Sequence, residues 1–225
     1  MAELAPAWAE TVVVDKTEYL LCQDLAALVF MANLGCIEIH PWLSHVPELH
    51  RPDFLVLDLD PIEVDFAQVV QVAQVAREVL LEAGITGYPK TSGARGLHIY
   101  VPIQARYTYA QVTRFAEVLA LLIHQRLPQI TSLERLPKHR QERVYLDWLQ
   151  NGEGKTMAAP YSLRAEPHAP VSTPLRWEEV TPDLHASDFN LRTIIERLAE
   201  IGDVFAPVLT EQADLAPLLR LKLAA

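Results

Sequence analysis

The chain has 225 residues, half of them apolar and 21% charged, which is enough to bury the core of one soluble globular domain. Its 19 Lys and Arg against 29 Asp and Glu give a net charge of −10. That balance excludes a general electrostatic grip on nucleic acid or an anionic membrane, because such a grip rests on clustered bases. No apolar run reaches the roughly 18 residues of a membrane-spanning helix, and the start, MAELAPAWAE, lacks the basic and apolar stretches of a signal peptide. Cys22 and Cys36 have no CxxC spacing and read as two reduced thiols.

In chain order, residues 20–34 predict a helix closed by Gly35, and Cys36–His40 a short strand before Pro41. FLVLDLD, Phe54–Asp60, alternates strictly: Leu55, Leu57 and Leu59 take one face, Asp58 and Asp60 the other. A helix over 65–83 ends at Gly84, a strand covers 85–90, and Ser92–Gly96 is a tight turn with two glycines. Leu97–Val101 is a strand with His98 and Tyr100 facing away from Leu97, Ile99 and Val101. Tyr109–Arg126 is a third helix, 127–142 a basic loop, and 143–148 a strand with Arg143, Tyr145 and Asp147 on one face. Proline-punctuated β-like pieces follow Asn151. A helix near 187–200 is capped by Ser187 or Asp188, and the apolar tail from Phe205 packs as a short helix.

Residues 54–148 therefore spell β-α-β-β-α-β, the ferredoxin-like (RRM-like) α+β arrangement, with two helices on one face of an antiparallel sheet. The expected organisation is a single domain over 1–225. It comprises an N-terminal helix and strand module over 1–50, a catalytic core over 51–180 and a helical extension over 181–225. In this topology the first strand lies between the third and the fourth. The face without helices then gathers Asp58, Asp60, Asp147, His98 and Tyr145.

Carboxylates gathered on a sheet repel one another unless cations sit between them. Oxygen ligands suit Mg²⁺ or Mn²⁺, and two such ions about 4 Å apart clamp a phosphoryl transfer. DLDP alone equally suits a strand that ends in solvent with its carboxylates salt-bridged; Asp147 on a neighbouring strand favours the metal reading. Lys90–His98 has the chemistry of an anion pocket: two glycines let the backbone approach, Ser92 donates and Arg95 neutralises. The same stretch would also serve as an ordinary hairpin turn, and His98 alone could be a satisfied core histidine. Gln150, Asn151 and Arg164 add donors. The charge distribution agrees. Residues 1–60 hold two bases and ten acids, whereas 61–126 hold six and five, and 127–176 hold seven and five. Only the middle of the chain offers a phosphate a favourable field.

The segments LGCIEIHPW, FLVLDLDP, KTSGARGLHIYVPI and VYLDWLQNGEGKTMAAPYSLRAEPHAPVSTPLRWEEV, in that order, resemble the primase-polymerase domain of bacterial ligase D, within the archaeo-eukaryotic primase superfamily. The resemblance runs from about Trp8 to Val180 and more loosely to Phe205. It implies template-directed transfer of a nucleotide from a (d)NTP, ribonucleotides favoured, to a primer 3′-hydroxyl at DNA ends during non-homologous end joining. Two divalent ions, Mn²⁺ or Mg²⁺, would serve it. By motif, Asp58, Asp60 and Asp147 are the expected metal ligands. Ser92, Arg95, His98 and Arg164, with Gln150 and Asn151, are the expected nucleotide binders, and His40 is a further active-site residue. Lys138, Arg140 and Arg143 in the basic loop are candidate DNA contacts.

The expected partners are DNA ends, a Ku-like protein and a separate DNA ligase chain, with no membrane, in the cytoplasm of a bacterium or archaeon. Family members usually carry a basic, aromatic-containing block before the segment that stands here at Pro6–Trp8. Weak recognition of a downstream 5′-phosphate is therefore expected. De novo priming and a non-catalytic DNA-end or ligase-binding role are the two rival readings.

Overall fold

The computed structural model describes residues 5–140 and 142–221. It divides into two compact units, Met1–Ile37 and Glu38–Ala225. The first unit holds a hairpin of β1 (Thr11–Val14) and β2 (Thr17–Leu20), followed by helix α1 (Leu25–Asn33). The hairpin lies where no element was predicted. Its turn puts Asp15 and Lys16 at φ 48° and 68°, the left-handed pair that a two-residue turn requires, without the glycine that signals it. The helix starts five residues later than predicted, because Leu20 closes the hairpin and Asp24 caps the helix by accepting from the Ala27 amide at 2.8 Å.

The second unit is built on β3 (Phe54–Pro61), α2 (Phe66–Glu82), β4 (Tyr88–Thr91), β5 (Leu97–Pro102), α3 (Tyr109–Arg126), β6 (Thr131–Ser132), β7 (Val144–Asp147) and α4 (Ile194–Ile201). The five-stranded sheet runs β4-β5-β3-β7-β6. The ferredoxin-like order predicted from the sequence is there, with β3 between β5 and β7. The two-residue β6 adds a parallel edge strand that the basic loop conceals.

Helices α2 and α3 form because apolar residues recur at helical spacing and polar groups close the ends. In α2 Val69, Val70, Ala73, Ala76 and Leu80 face the sheet, and Asp65 accepts from the Ala67 amide. Thr108 and Gln111 form a capping box at the start of α3. Against them the sheet presents Leu55, Leu57, Leu59, Leu97, Ile99, Val101 and Leu146, all fully buried and all predicted for this face. Each contributes about 1.5–3 kcal/mol of apolar burial.

Four expectations need correction. No strand forms over 36–40: Pro41 supplies no donor, the Ile39 amide is taken by the Ser162 hydroxyl at 2.9 Å rather than by a strand, and the Ile39 and Pro41 carbonyls accept from the Ala159 and Met157 amides. The strand expected at 85–90 is displaced to Tyr88–Thr91, since Ile85 turns into the core and Gly87 leaves space that Leu80 and Ile99 fill. Helix α4 begins at Ile194. Asp188 instead accepts from the His185 amide in a separate 3₁₀ turn, so neither Ser187 nor Asp188 caps the helix. The tail forms two 3₁₀ turns, Ala206–Leu209 and Ala216–Arg220.

The other face of the sheet, expected to lie open, is half covered. Val56 and Tyr100 pack with Leu43, Tyr109, Met157, Phe205 and Val208 in a second apolar cluster. The end of the face that carries Asp58, Asp60 and Asp147 stays polar.

Candidate active site

Strand register brings the carboxylates together. Asp58 lies directly across from Asp147 on β7 and from His98 on β5, and Asp60 lies across from Tyr145. Directly opposed residues of antiparallel strands have side chains about 5 Å apart. Burial raises the Asp58 carboxyl most, Asp147 and Asp60 raise it further, and it reaches about 8 from an ordinary 3.8. Asp147 is raised as well, mainly by burial.

A cation answers this repulsion on the β7 side. Arg140 donates from Nη1 to Asp60 Oδ2 at 2.8 Å and lies 3.8 Å over the Tyr145 ring. Its remaining donors reach the carbonyls of Glu134 and Arg135 at 3.1 and 2.9 Å. The side chain is 8% exposed. Arg140 was expected on the DNA-facing surface; it is instead drawn inward by the carboxylate that the cluster leaves uncompensated. Lys138 is exposed and Arg143 half-buried on the same loop, where each remains accessible to a phosphate.

On the β5 side the sequence reading missed the central cation. Lys90 is fully buried across from His98. Its ammonium donates to His98 Nδ1 at 3.1 Å, to the Thr91 carbonyl at 3.2 Å and to the Ser172 hydroxyl. Burial drags its pKa down to about 7, with Arg164 adding to the fall and Asp58 resisting it. Burial, then Lys90 and Arg164, hold the His98 imidazole well below its ordinary 6.5, so it is neutral. When Lys90 is protonated it can only donate, so Nδ1 accepts and the ring proton sits on Nε2, 3.5 Å from Asp58 Oδ1. A lysine in a short strand immediately before a glycine turn was the signal available.

The turn after β4 is shaped for close approach. Ser92 accepts from the Ala94 and Gly96 amides at 3.1 and 3.0 Å, so its oxygen organises the loop while its proton stays free to donate. Gly93 has φ 73°, and a Cβ there would meet Arg164 Cγ at 2.6 Å; a Cβ on Gly96 would meet the Leu59 carbonyl at 2.2 Å. Both glycines are required. Arg164 braces the turn from Nη1 to the Ser92 carbonyl at 2.9 Å. Arg95, at the tip, is exposed. It lines a 460 Å³ pocket with Glu166 and His168.

His40 reaches this end of the site indirectly. Its Nε2 lies 2.9 Å from Glu38 Oε2, while Glu38 Oε1 accepts from the Ala165 amide at 2.5 Å and faces Arg164 Nε at 3.4 Å. The Ala165 amide, His40 and Arg164 hold the Glu38 carboxyl down at about 2. His40 and Glu38 thus orient Arg164.

Asn151 is a correction. It was expected to bind nucleotide, but it is fully buried and spends its amide on the backbone of β3: Oδ1 accepts from Val56 N at 2.8 Å and Nδ2 donates to Val56 O at 2.7 Å. It continues the ladder where β7 has ended. Gln150, its neighbour, donates to the Thr156 carbonyl at 2.7 Å and lines a cavity beside Asp147.

Asp58, Asp60 and Asp147 fit divalent cations in donor chemistry, being oxygen ligands on neighbouring strands with a raised, cation-poor member. Their present placement does not: among the described residues no three acidic, histidine or cysteine side chains are grouped so as to hold a metal ion. Asp60 is turned to Arg140.

The chain as a whole is similar to known proteins. A family profile described as the LigD primase-polymerase domain matches residues 1–205. The Bacillus subtilis bifunctional non-homologous end joining protein LigD is 34% identical over 205 residues, 90% of this chain and 33% of that protein. The Mycolicibacterium smegmatis multifunctional LigD is 32% identical over 216 residues, 92% of this chain and 28% of that protein. The chain thus spans a third or less of these relatives. The polymerase domain of Mycobacterium tuberculosis ligase D in complex with DNA superposes with a TM-score of 0.84 at 30% identity, over 95% of this chain and 78% of that one.

Proposed function

The chain belongs to the LigD primase-polymerase domain family, and from that premise we propose that it transfers a nucleotide from a (d)NTP to the 3′-hydroxyl of a primer at a DNA end, in the repair of breaks by end joining. The observation that carries the reading is the register of β3 against both neighbours, which sets Asp58 beside Asp147 and His98 at once. Carboxylates for cations and donors for a triphosphate then adjoin at one atom group.

Asp58, Asp60 and Asp147 would hold two divalent cations, Mn²⁺ in preference to Mg²⁺. When bound, these supply charge neutralisation for the transferred phosphoryl group and acidify the attacking hydroxyl. Ser92, the glycine-turn amides, His98 Nε2–H and Arg164 bind the triphosphate, and Lys90 fixes the His98 tautomer. Arg95 meets the outer phosphates from the tip of the turn. A Ku-like protein delivers the end, a separate ligase chain seals it, and the setting is the bacterial nucleoid.

Primer extension with Mn²⁺ and each nucleotide type tests the proposal. Extension of a recessed 3′ end, lost in Asp147→Ala, is expected. Dinucleotide synthesis on unprimed template would replace it with de novo priming, and DNA-end binding without any transfer would replace it with a non-catalytic role.

A further inference from the structure

Beside Asp147, on the side of the sheet away from Ser92, His98 and Arg164, lies a cavity of about 300 Å³ lined by Arg135, Arg140, Tyr145, Asp147, Leu149, Gln150 and Lys155. Three of these seven residues are cations and one is an anion. Arg140 is committed to Asp60 and to two loop carbonyls. Arg135 and Lys155 are both exposed, and neither forms an ion pair among the described residues. They converge on the cavity from separate segments. Arg135 lies in the loop after β6, where its carbonyl accepts from Arg140 Nη2 at 2.9 Å. Lys155 is presented by a turn that the Lys155 amide closes on the Gly152 carbonyl at 3.1 Å, and that Gln150 ties to Thr156. Two unpaired bases aimed at a space that already holds a carboxylate need an anion with a bridging cation or a hydroxyl near that carboxylate.

Position selects which anion. In-line displacement puts the attacking oxygen and the leaving group on opposite sides of the transferred phosphorus. Of the triphosphate donors proposed above, His98 stands on β5, Ser92 in the turn between β4 and β5, and Arg164 against that turn, whereas this cavity stands across β3 beside β7. The group that occupies it is therefore on the attacking side. We infer that Arg135 and Lys155 form a binding site for the backbone phosphate at the primer's 3′ end, holding the terminal sugar so that its hydroxyl lies at Asp147. This rests on the transfer reaction proposed above. The cavity, at the small end of ligand sites, takes a sugar-phosphate unit rather than a duplex.

The test compares wild type, Arg135→Ala, Lys155→Ala and the double variant, with Arg192→Ala as an exposed-base control. Each is assayed with a primer whose last internucleotide linkage is either phosphate or uncharged methylphosphonate. Each single variant should raise the KM for primer about three- to ten-fold with the nucleotide KM unchanged, and reduce the salt slope of DNA binding by about one. Methylphosphonate should impose the same loss on wild type and no further loss on the double variant.

Equal sensitivity to a methylphosphonate in the template strand, or a rise in nucleotide KM, would overturn the assignment in favour of template or triphosphate. An unchanged primer KM would overturn it outright. If wild type transfers no nucleotide to any primer, the reaction proposal fails. Anisotropy of the same primer pairs then decides this site separately: the methylphosphonate penalty must appear in wild type and vanish in the double variant, and any other pattern removes it.

Discussion

Arg140 and Asp60 are bonded at 2.8 Å, which makes a side chain of this protein the occupant of a carboxylate that divalent ions would need. Guanidinium and metal compete for the same oxygens. Arg140→Ala should therefore bind Mn²⁺ more tightly, by about ten-fold once the half-exposure of Asp60 is allowed for. Titration calorimetry on both proteins reads this directly. Equal or weaker binding by the variant would mean that Arg140 helps build the metal site rather than block it.

Asp58 gives a pH signature. An acid raised on folding holds its proton more firmly in the folded state. Its contribution to stability is thus complete below its ordinary 3.8 and is lost as pH rises through about 8. His98, held neutral, acts in the opposite direction below its ordinary 6.5, so the wild-type profile mixes both. The difference isolates Asp58. Asp58→Asn should gain stability relative to wild type steadily between these limits and no further above them, as urea melts in chelator at several pH values would show. A pH-independent difference would remove the repulsion from the account.

For Asn151, the expected loss is structural. Asn151→Ala strands the buried N–H and C=O of Val56 and should cost about 2–5 kcal/mol. Urea denaturation measures it. The nucleotide KM of the fraction that remains folded should match wild type; a selective rise in KM would restore Asn151 to the nucleotide site.

Gly96→Ala should be worse than its size suggests. Its Cβ would lie 2.2 Å from the Leu59 carbonyl, and backbone cannot give way as a flexible side chain can. Leu59 stands between Asp58 and Asp60, so the shift needed would displace both. A thermal melt lowered by several degrees, together with lost Mn²⁺ stabilisation, is expected. A variant as stable as wild type that still responds to Mn²⁺ would show the turn to be looser than its geometry.

What could be read from the sequence was whatever period-two or helical alternation encodes. Leu55, Leu57 and Leu59 against Asp58 and Asp60 gave the sheet face, and Tyr109–Arg126 gave a helix to the residue. Its limits were set by partners far along the chain. Lys90 looks like a strand-end lysine until Ser172, 82 residues later, supplies its acceptor. Asn151 looks like a free donor beside Asp147 until Val56 claims both ends of its amide. Arg140 looks like one more base in a basic loop; nothing local says that it turns inward. The Asp15–Lys16 turn was hidden because left-handed geometry there is carried by residues that rarely adopt it.

The second apolar cluster sets an order of events. A ribosome releases Asp58, Asp60 and Asp147 with β3 and β7, yet Met157, Phe205 and Val208, which roof Val56 and Tyr100 on the same face, emerge later. Until they do, the growing chain shows a greasy strip directly beside its most acidic spot. The cover of that face is thus added after its acidic end is in place, and a nascent chain stalled before Phe205 would present chaperones with an exposed sheet.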